Sequence, residues 1–172
     1  MDTLIAIDKP APDFELTDLV GNRYRLSEQH GRVIILNFWS AECPWSERAD
    51  QEMLSYLQNW GVRAALWTIA ANANEPLEML QQVSGQRGLP VVLHDAHQQV
   101  ADLYQAQTTP HVFVINETGV LRYQGAVNDI TFRQRTPTRY YLQAAVEAVL
   151  AGRRPDPEET PPYGCTIVRY AG

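Results

Sequence analysis

The stretch Val33-Ile34-Ile35-Leu36-Asn37-Phe38-Trp39-Ser40-Ala41-Glu42-Cys43-Pro44-Trp45-Ser46 decides the fold. Its first six residues are apolar apart from Asn37, and half of them are β-branched. That pattern predicts a strand buried on both faces. From Pro44 the pattern changes: Ala49, Met53, Leu57 and Trp60 recur at helical spacing, predicting an amphipathic helix that ends at Gly61. Pro44 suits the first turn, because its missing N–H would have had no partner there. Cys43 therefore falls at a strand-to-helix junction, where unpaired N–H groups and the positive end of the helix dipole stabilise a thiolate. Ser46 follows in Cys-x-x-Ser spacing. It is either a hydroxyl that hydrogen-bonds the thiolate or an ordinary polar residue of the first turn.

Other elements extend outward from this stretch. Gly21-Asn22 is a turn signal between apolar-containing segments at 14–16 and 24–26, predicting an N-terminal hairpin. Residues 62–70 read as a second buried strand, 72–74 as a loop, and 75–83 as a helix stopped by Gly85 and Gly88. A short strand at 90–93, a short helix at 97–104 and a strand at 111–115 follow. The turn at 116–119 leads into an antiparallel partner at 120–123. Leu142, Ala145, Val146, Val149 and Leu150 line one face of a last helix. Strands alternating with helices, then a hairpin and a closing helix, predict an α/β three-layer sandwich around a central mixed sheet. The expected domain spans 1–152. Beyond it, 153–172 is Pro-rich and reads as an extended tail on or near the same domain, with Cys165 close to its end.

Composition narrows the function. The chain has 172 residues, enough for one domain with a substantial core. Its net charge is −6, which disfavours nucleic-acid binding. No run is apolar enough to span a bilayer. The first ten residues lack a basic start followed by an apolar stretch, so they read as no signal peptide and the chain as cytosolic, although a leader removed beforehand would leave the same sequence. The two cysteines, Cys43 and Cys165, make neither a disulfide scaffold nor a zinc site. His94 and His97 stand at i, i+3 but lack a third ligand, so neither metal nor cofactor is expected.

Phe38-Trp39 before Cys43-Pro44-Trp45-Ser46, with Thr109-Pro110 ahead of a strand, resembles the thioredoxin fold. The opening Ala11-Pro12-Asp13-Phe14-Glu15-Leu16, the turn Gly21-Asn22, and Gly119 and Gly125 after 109–115 are similar to the redoxin branch, the alkyl hydroperoxide reductase/thiol-specific antioxidant family. Thr138-Arg139, Gly152, Pro155, Thr160 and Gly164-Cys165-Thr166-Ile167 resemble a peroxiredoxin-like subgroup whose chains end this way. The resemblance implies that Pro110 is a cis-proline set against Cys43, and that Thr109 offers backbone hydrogen bonds to an extended substrate. There are three departures. Ser46 stands where thioredoxins carry their second cysteine. Leu36 stands where peroxiredoxins carry a proline. The approximate place of their peroxide-binding arginine falls at Pro110. Ser40 does match the hydroxyl they place three residues before the cysteine.

The leading expectation is a thiol-dependent oxidoreductase with Cys43 as nucleophile on a peroxide or a disulfide, regenerated by an external thiol or by Cys165. One alternative is a thioredoxin-like enzyme acting through mixed disulfides, which Ser46 weakens because no adjacent thiol releases the trapped partner. Another is a redox-inert module that holds an extended peptide beside Pro110. Cys165 is either a resolving thiol carried on a mobile tail or a packed thiol on a terminal strand. Oligomeric state is left open. Trp39 reads as core and His111 as a satisfied strand histidine. Trp45 is a candidate wall of a substrate groove, and Arg133, Arg135 and Arg139 form a basic loop.

Overall fold

A computed structural model describes residues 5–170. The reading of the first ten residues thus falls partly outside the described chain. Strand β1 (Glu15–Asp18) and β2 (Arg23–Arg25) form the N-terminal hairpin. β3 (Val33–Trp39) leads into α1 (Pro44–Trp60), β4 (Ala64–Ala70) into α2 (Leu77–Arg87), and β5 (Val92–His94) into α3 (Gln99–Leu103). The two-residue β6 (Thr108–Thr109) precedes β7 (His111–Ile115), β8 (Leu121–Gly125), α4 (Tyr141–Leu150) and a terminal β9 (Cys165–Thr166).

Seven strands make one mixed sheet in the order β2-β1-β5-β4-β3-β7-β8. β3, β4 and β5 run parallel, while β7 is antiparallel to β3 and β8 to β7. All seven residues of β3 are buried, as expected of a central strand covered on both faces. On one face, Val33 and Ile35 meet Ala49, Met53 and Trp60 of α1 and Leu142 and Val146 of α4. On the other, Ile34, Leu36 and Phe38 meet Val100 and Ala101 of α3, Phe14, and Ile167 of the tail. The three-layer α/β sandwich is therefore present.

Local departures from the sequence expectation have local causes. Residues 61–63 form a 3-10 turn with Val62 exposed, so β4 starts two residues late. α2 starts at Leu77, because Pro76 adopts an extended backbone and Glu75 is drawn into a buried hydrogen-bond cluster. That helix runs through Gly85 to Arg87. Packing of Leu80 against Trp39, Ala70 and Val92 outweighs the propensity cost of one glycine.

The tail is a docked strap. Its Glu159 bridges Gln124 of β8, and the Thr160 hydroxyl bonds Tyr123 Oη and accepts from Ala126 N–H. β9 then pairs antiparallel with β6, Thr109 opposite Cys165 and Thr108 opposite Thr166. Ile167 is buried in the core, and Val168 reaches the loop after β4. The strap crosses the end of the sheet where β3 and β4 deliver their C-termini, the usual place for a site in a sheet of parallel strands.

Candidate active site

Cys43 is the N-cap of α1, with extended backbone, and Pro44 opens the first turn. The Cys43 side chain makes no capping bond, so its sulfur lies at the dipole end of a 17-residue helix without being used as a cap. The Thr109–Pro110 peptide is cis, and Cys43 Sγ lies 3.2 Å from the Thr109 carbonyl oxygen. Cys43 and Cys165 are joined as a disulfide, their Cα atoms 6.2 Å apart across a sequence separation of 122. That Cα distance is ordinary for a bonded pair. Cys43 is 2% exposed, whereas Cys165 on the strap is only partly buried.

With the disulfide formed, the tail is docked around Cys165. Strand pairing with β6, Thr160 on β8 and buried Ile167 bracket Cys165 on both sides. Gly164 permits this approach. A Cβ there would sit 2.1 Å from the Thr109 carbonyl oxygen, so only glycine lets the strap pass against that residue.

With Cys43 in the disulfide, the two serines bond the loop around it. Ser46 is fully buried, and its hydroxyl accepts from the Ser40 N–H at 3.3 Å, which ties the loop before Cys43 to the first turn after it. Among the described residues no hydrogen bond joins Ser46 to Cys43. Ser40 donates its hydroxyl to Glu75 and accepts from the Glu42 N–H at 3.2 Å. Glu42 itself is exposed.

Two buried carboxylates behind this loop escaped the sequence reading. Glu75, 5% exposed, accepts from the Ser40 hydroxyl, from Ala41 N–H at 2.9 Å and from Asn72 Nδ2 at 3.0 Å. Asp50, 1% exposed, accepts from Trp39 Nε1 at 2.7 Å and pairs with Arg87 at 3.0 Å. Arg87 also donates to the Ala41 carbonyl at 2.8 Å. The Ala41 peptide is thus held from both sides. Burial pushes the Asp50 carboxyl up to about 6, against the bonds from Trp39 and Arg87 that favour its charge. A signal for Asp50 did exist, since it lies seven residues after Cys43, two turns on along the same helix face. Glu75 carried none, because nothing local marks a loop glutamate that turns inward.

The remaining candidates sort as follows. Trp39 is fully buried. Trp45 meets Tyr163 of the strap edge-on at 5.3 Å and lines a cleft with Arg48, Glu52, Pro110 and Asn128. His111 is buried and stacked on Phe113, and its Nδ1 accepts from the Gln107 N–H; burial pushes its pKa down to about 4. Arg139 lies over Tyr141, and the Arg135 carbonyl accepts from Arg48. His94 and His97 join no cluster of three potential metal ligands among the described residues, and no described helix is long and apolar enough to cross a membrane.

A cysteine at a helix start, a cis-proline facing it and a second cysteine bonded to it define a thiol-redox protein of thioredoxin-like fold. The chain belongs to the AhpC/TSA family, whose pattern matches residues 7–124 and so ends before the strap. It is similar to the thiol-disulfide oxidoreductase ResA of Geobacillus kaustophilus (strain HTA426), 32% identical over 70% of this chain and 69% of that one. It is also similar to the thiol:disulfide interchange protein DsbE of Allochromatium vinosum, 27% identical over 69% of this chain and 65% of that one. Among solved structures, the hypothetical protein SMc02350 from Sinorhizobium meliloti 1021 superposes with a TM-score of 0.85 at 29% identity. That match covers 99% of this chain and 98% of the other, strap included. The chain is accordingly a thiol-dependent oxidoreductase.

Proposed function

We propose that the protein is a thiol–disulfide oxidoreductase whose working pair is Cys43 and Cys165. The observation that carries this reading is the disulfide between the N-cap of α1 and the strap. The objection that Ser46 leaves Cys43 without a partner thiol loses its force, because the strap supplies that thiol from the other end of the chain. In the reduced protein the Cys43 thiolate attacks one sulfur of a substrate disulfide. A mixed disulfide forms on Cys43 and one substrate thiolate leaves. The Cys165 thiolate then attacks the Cys43 sulfur, closing the internal disulfide and expelling the second substrate thiol. The substrate gains two electrons, and an external thiol reductant restores the dithiol. The similarity to ResA and DsbE supports disulfide rather than peroxide as the substrate.

The peroxidase reading ranks second. The Ser40 hydroxyl, which peroxiredoxins place three residues before the cysteine, donates to Glu75, and Pro110 occupies the approximate place of their arginine. The test is turnover of a low-molecular-weight disulfide with a dithiol donor, beside turnover of hydrogen peroxide. Wild type should reduce the disulfide faster. Cys43→Ser should be inactive, and pre-reduced Cys165→Ser given the disulfide without the donor should stop as a mixed disulfide on Cys43, visible as one added substrate thiol by mass spectrometry. Failure of Cys165→Ser to trap that adduct sinks the assignment. An oxidised wild type that no thiol reduces would favour the redox-inert binding module.

A further inference from the structure

Glu75 is a buried carboxylate that no redox step uses. Among the described residues no arginine, lysine or histidine pairs with it, and its bonds come from Ser40, Ala41 and Asn72. Keeping such a group costs desolvation, offset here by hydrogen bonds from neutral donors. What those bonds connect gives the group a role. Ser40 and Ala41 are three and two residues before Cys43. Asn72, which donates to Glu75, also accepts from the Val168 N–H at 2.8 Å, and Ala73 N–H donates to the Val168 carbonyl at 2.8 Å. Val168 is three residues after Cys165. One loop, residues 72–75, therefore grips the segment before one cysteine and the segment after the other.

We propose that Asn72 and Glu75 are positioning residues that set the reduction potential of the Cys43–Cys165 pair, which rests on that pair being exchangeable as above. An internal disulfide is favoured over its dithiol in proportion to the effective concentration of one thiol at the other. β9 has only two residues, so its pairing with β6 alone leaves Cys165 a range of positions. Buried Ile167 limits that freedom, and the grip at Val168 narrows it further. The link through Glu75 makes the strap and the Cys43 loop one assembly. Loosening either end lowers the effective concentration and makes the disulfide easier to reduce.

The experiment equilibrates the 172-residue protein with reduced and oxidised dithiothreitol, a two-electron exchange in which the protein gains the two electrons and two protons that the dithiol gives up. The dithiol and disulfide forms are quantified after acid quench and alkylation. Asn72→Ala should shift the equilibrium about tenfold toward the dithiol, which is about 30 mV toward a more oxidising potential. Asn72→Asp separates the link from simple strap packing. Its carboxylate still accepts from the Val168 N–H but cannot donate to Glu75 and repels it, so it should shift at least as far as Asn72→Ala. Glu75→Gln should shift in the same direction. If that buried variant fails to fold, the two substitutions at half-buried Asn72 carry the test. An Asn72→Asp variant indistinguishable from wild type, or equilibrium constants within twofold of each other throughout, overturns the inference while leaving the redox pair intact. A wild-type disulfide that exchanges with no thiol overturns the functional reading and this inference with it.

Discussion

At the residue scale, two buried ionisable groups flank the chemistry and respond to pH in opposite directions. Burial raises Asp50 from 3.8 to about 6. Between those values the folded protein binds more protons than the unfolded chain, so this group's contribution to stability falls as pH rises. Burial lowers His111 from 6.5 to about 4. There the folded protein binds fewer protons, so its contribution falls as pH drops below 6.5. Each effect is on the order of 3 kcal/mol at full extent, and in wild type they largely oppose each other across the same window. Substitution should uncover them. Relative to wild type, Asp50→Asn should gain stability as pH rises from about 4 to 6, and His111→Phe should gain it as pH falls from 6.5 to 4. Urea unfolding at half-unit pH steps measures both, and parallel curves for wild type and Asp50→Asn would refute the assignment for Asp50.

At the scale of elements, the strap is the feature that lies outside the matched family pattern. β9 lies along β6 beside the cis-proline, occupying the backbone of Thr109 that the resemblance had offered to an extended substrate. The contact depends on Gly164. Adding one methyl there places carbon against the Thr109 carbonyl at a distance that real contacts do not reach. Gly164→Ala should therefore break the two-residue pairing and lift the strap, at a cost of roughly 1–3 kcal/mol. Hydrogen exchange reads this locally, because the Ile167 N–H is bonded to the Gln107 carbonyl and should be protected only while the strap is docked. Unchanged protection at 165–168 in the reduced variant would show that β6–β9 pairing does not hold the strap. Gly125 plays the same part upstream, where a Cβ would meet the backbone of Thr160.

For the whole molecule, the disulfide ties the first helix to the C-terminal strap across a separation of 122 residues. Closing so long a loop restricts the unfolded chain far more than the folded one. The chain-entropy argument puts the stabilisation at about 5 kcal/mol. Reduction, or the double substitution Cys43→Ala with Cys165→Ala, should lower the free energy of unfolding by an amount of that order. A difference below about 1 kcal/mol would mean that the unfolded chain already holds these ends together. The same quantity has a redox face. Whatever the disulfide contributes to folding, folding contributes to the disulfide, so variants that destabilise the folded disulfide form more than the folded dithiol form should also be reduced more easily, and variants that destabilise both alike should not.

The chain's own neighbours determined most of the architecture. The buried run at 33–38, the periodicity from Pro44 to Trp60, the turn at Gly21-Asn22 and the apolar run at 111–115 are all local patterns, where hydrophobic period and backbone chemistry act directly. For the same reason Cys43 could be placed at a helix start from the sequence alone. That Cys165 meets Cys43 was not legible, nor was the inward turn of Glu75, nor the use of Ser40 and Ser46 as loop ties. Each depends on segments far apart in sequence that meet only after the sheet has formed: 40–41 with 75, 72–73 with 168, and 43 with 165. Local propensity carries no information about which distant segment will arrive. The parallel ends of β3 and β4, side by side in the sheet, bring those segments together, and the strap laid across them carries Cys165 to Cys43.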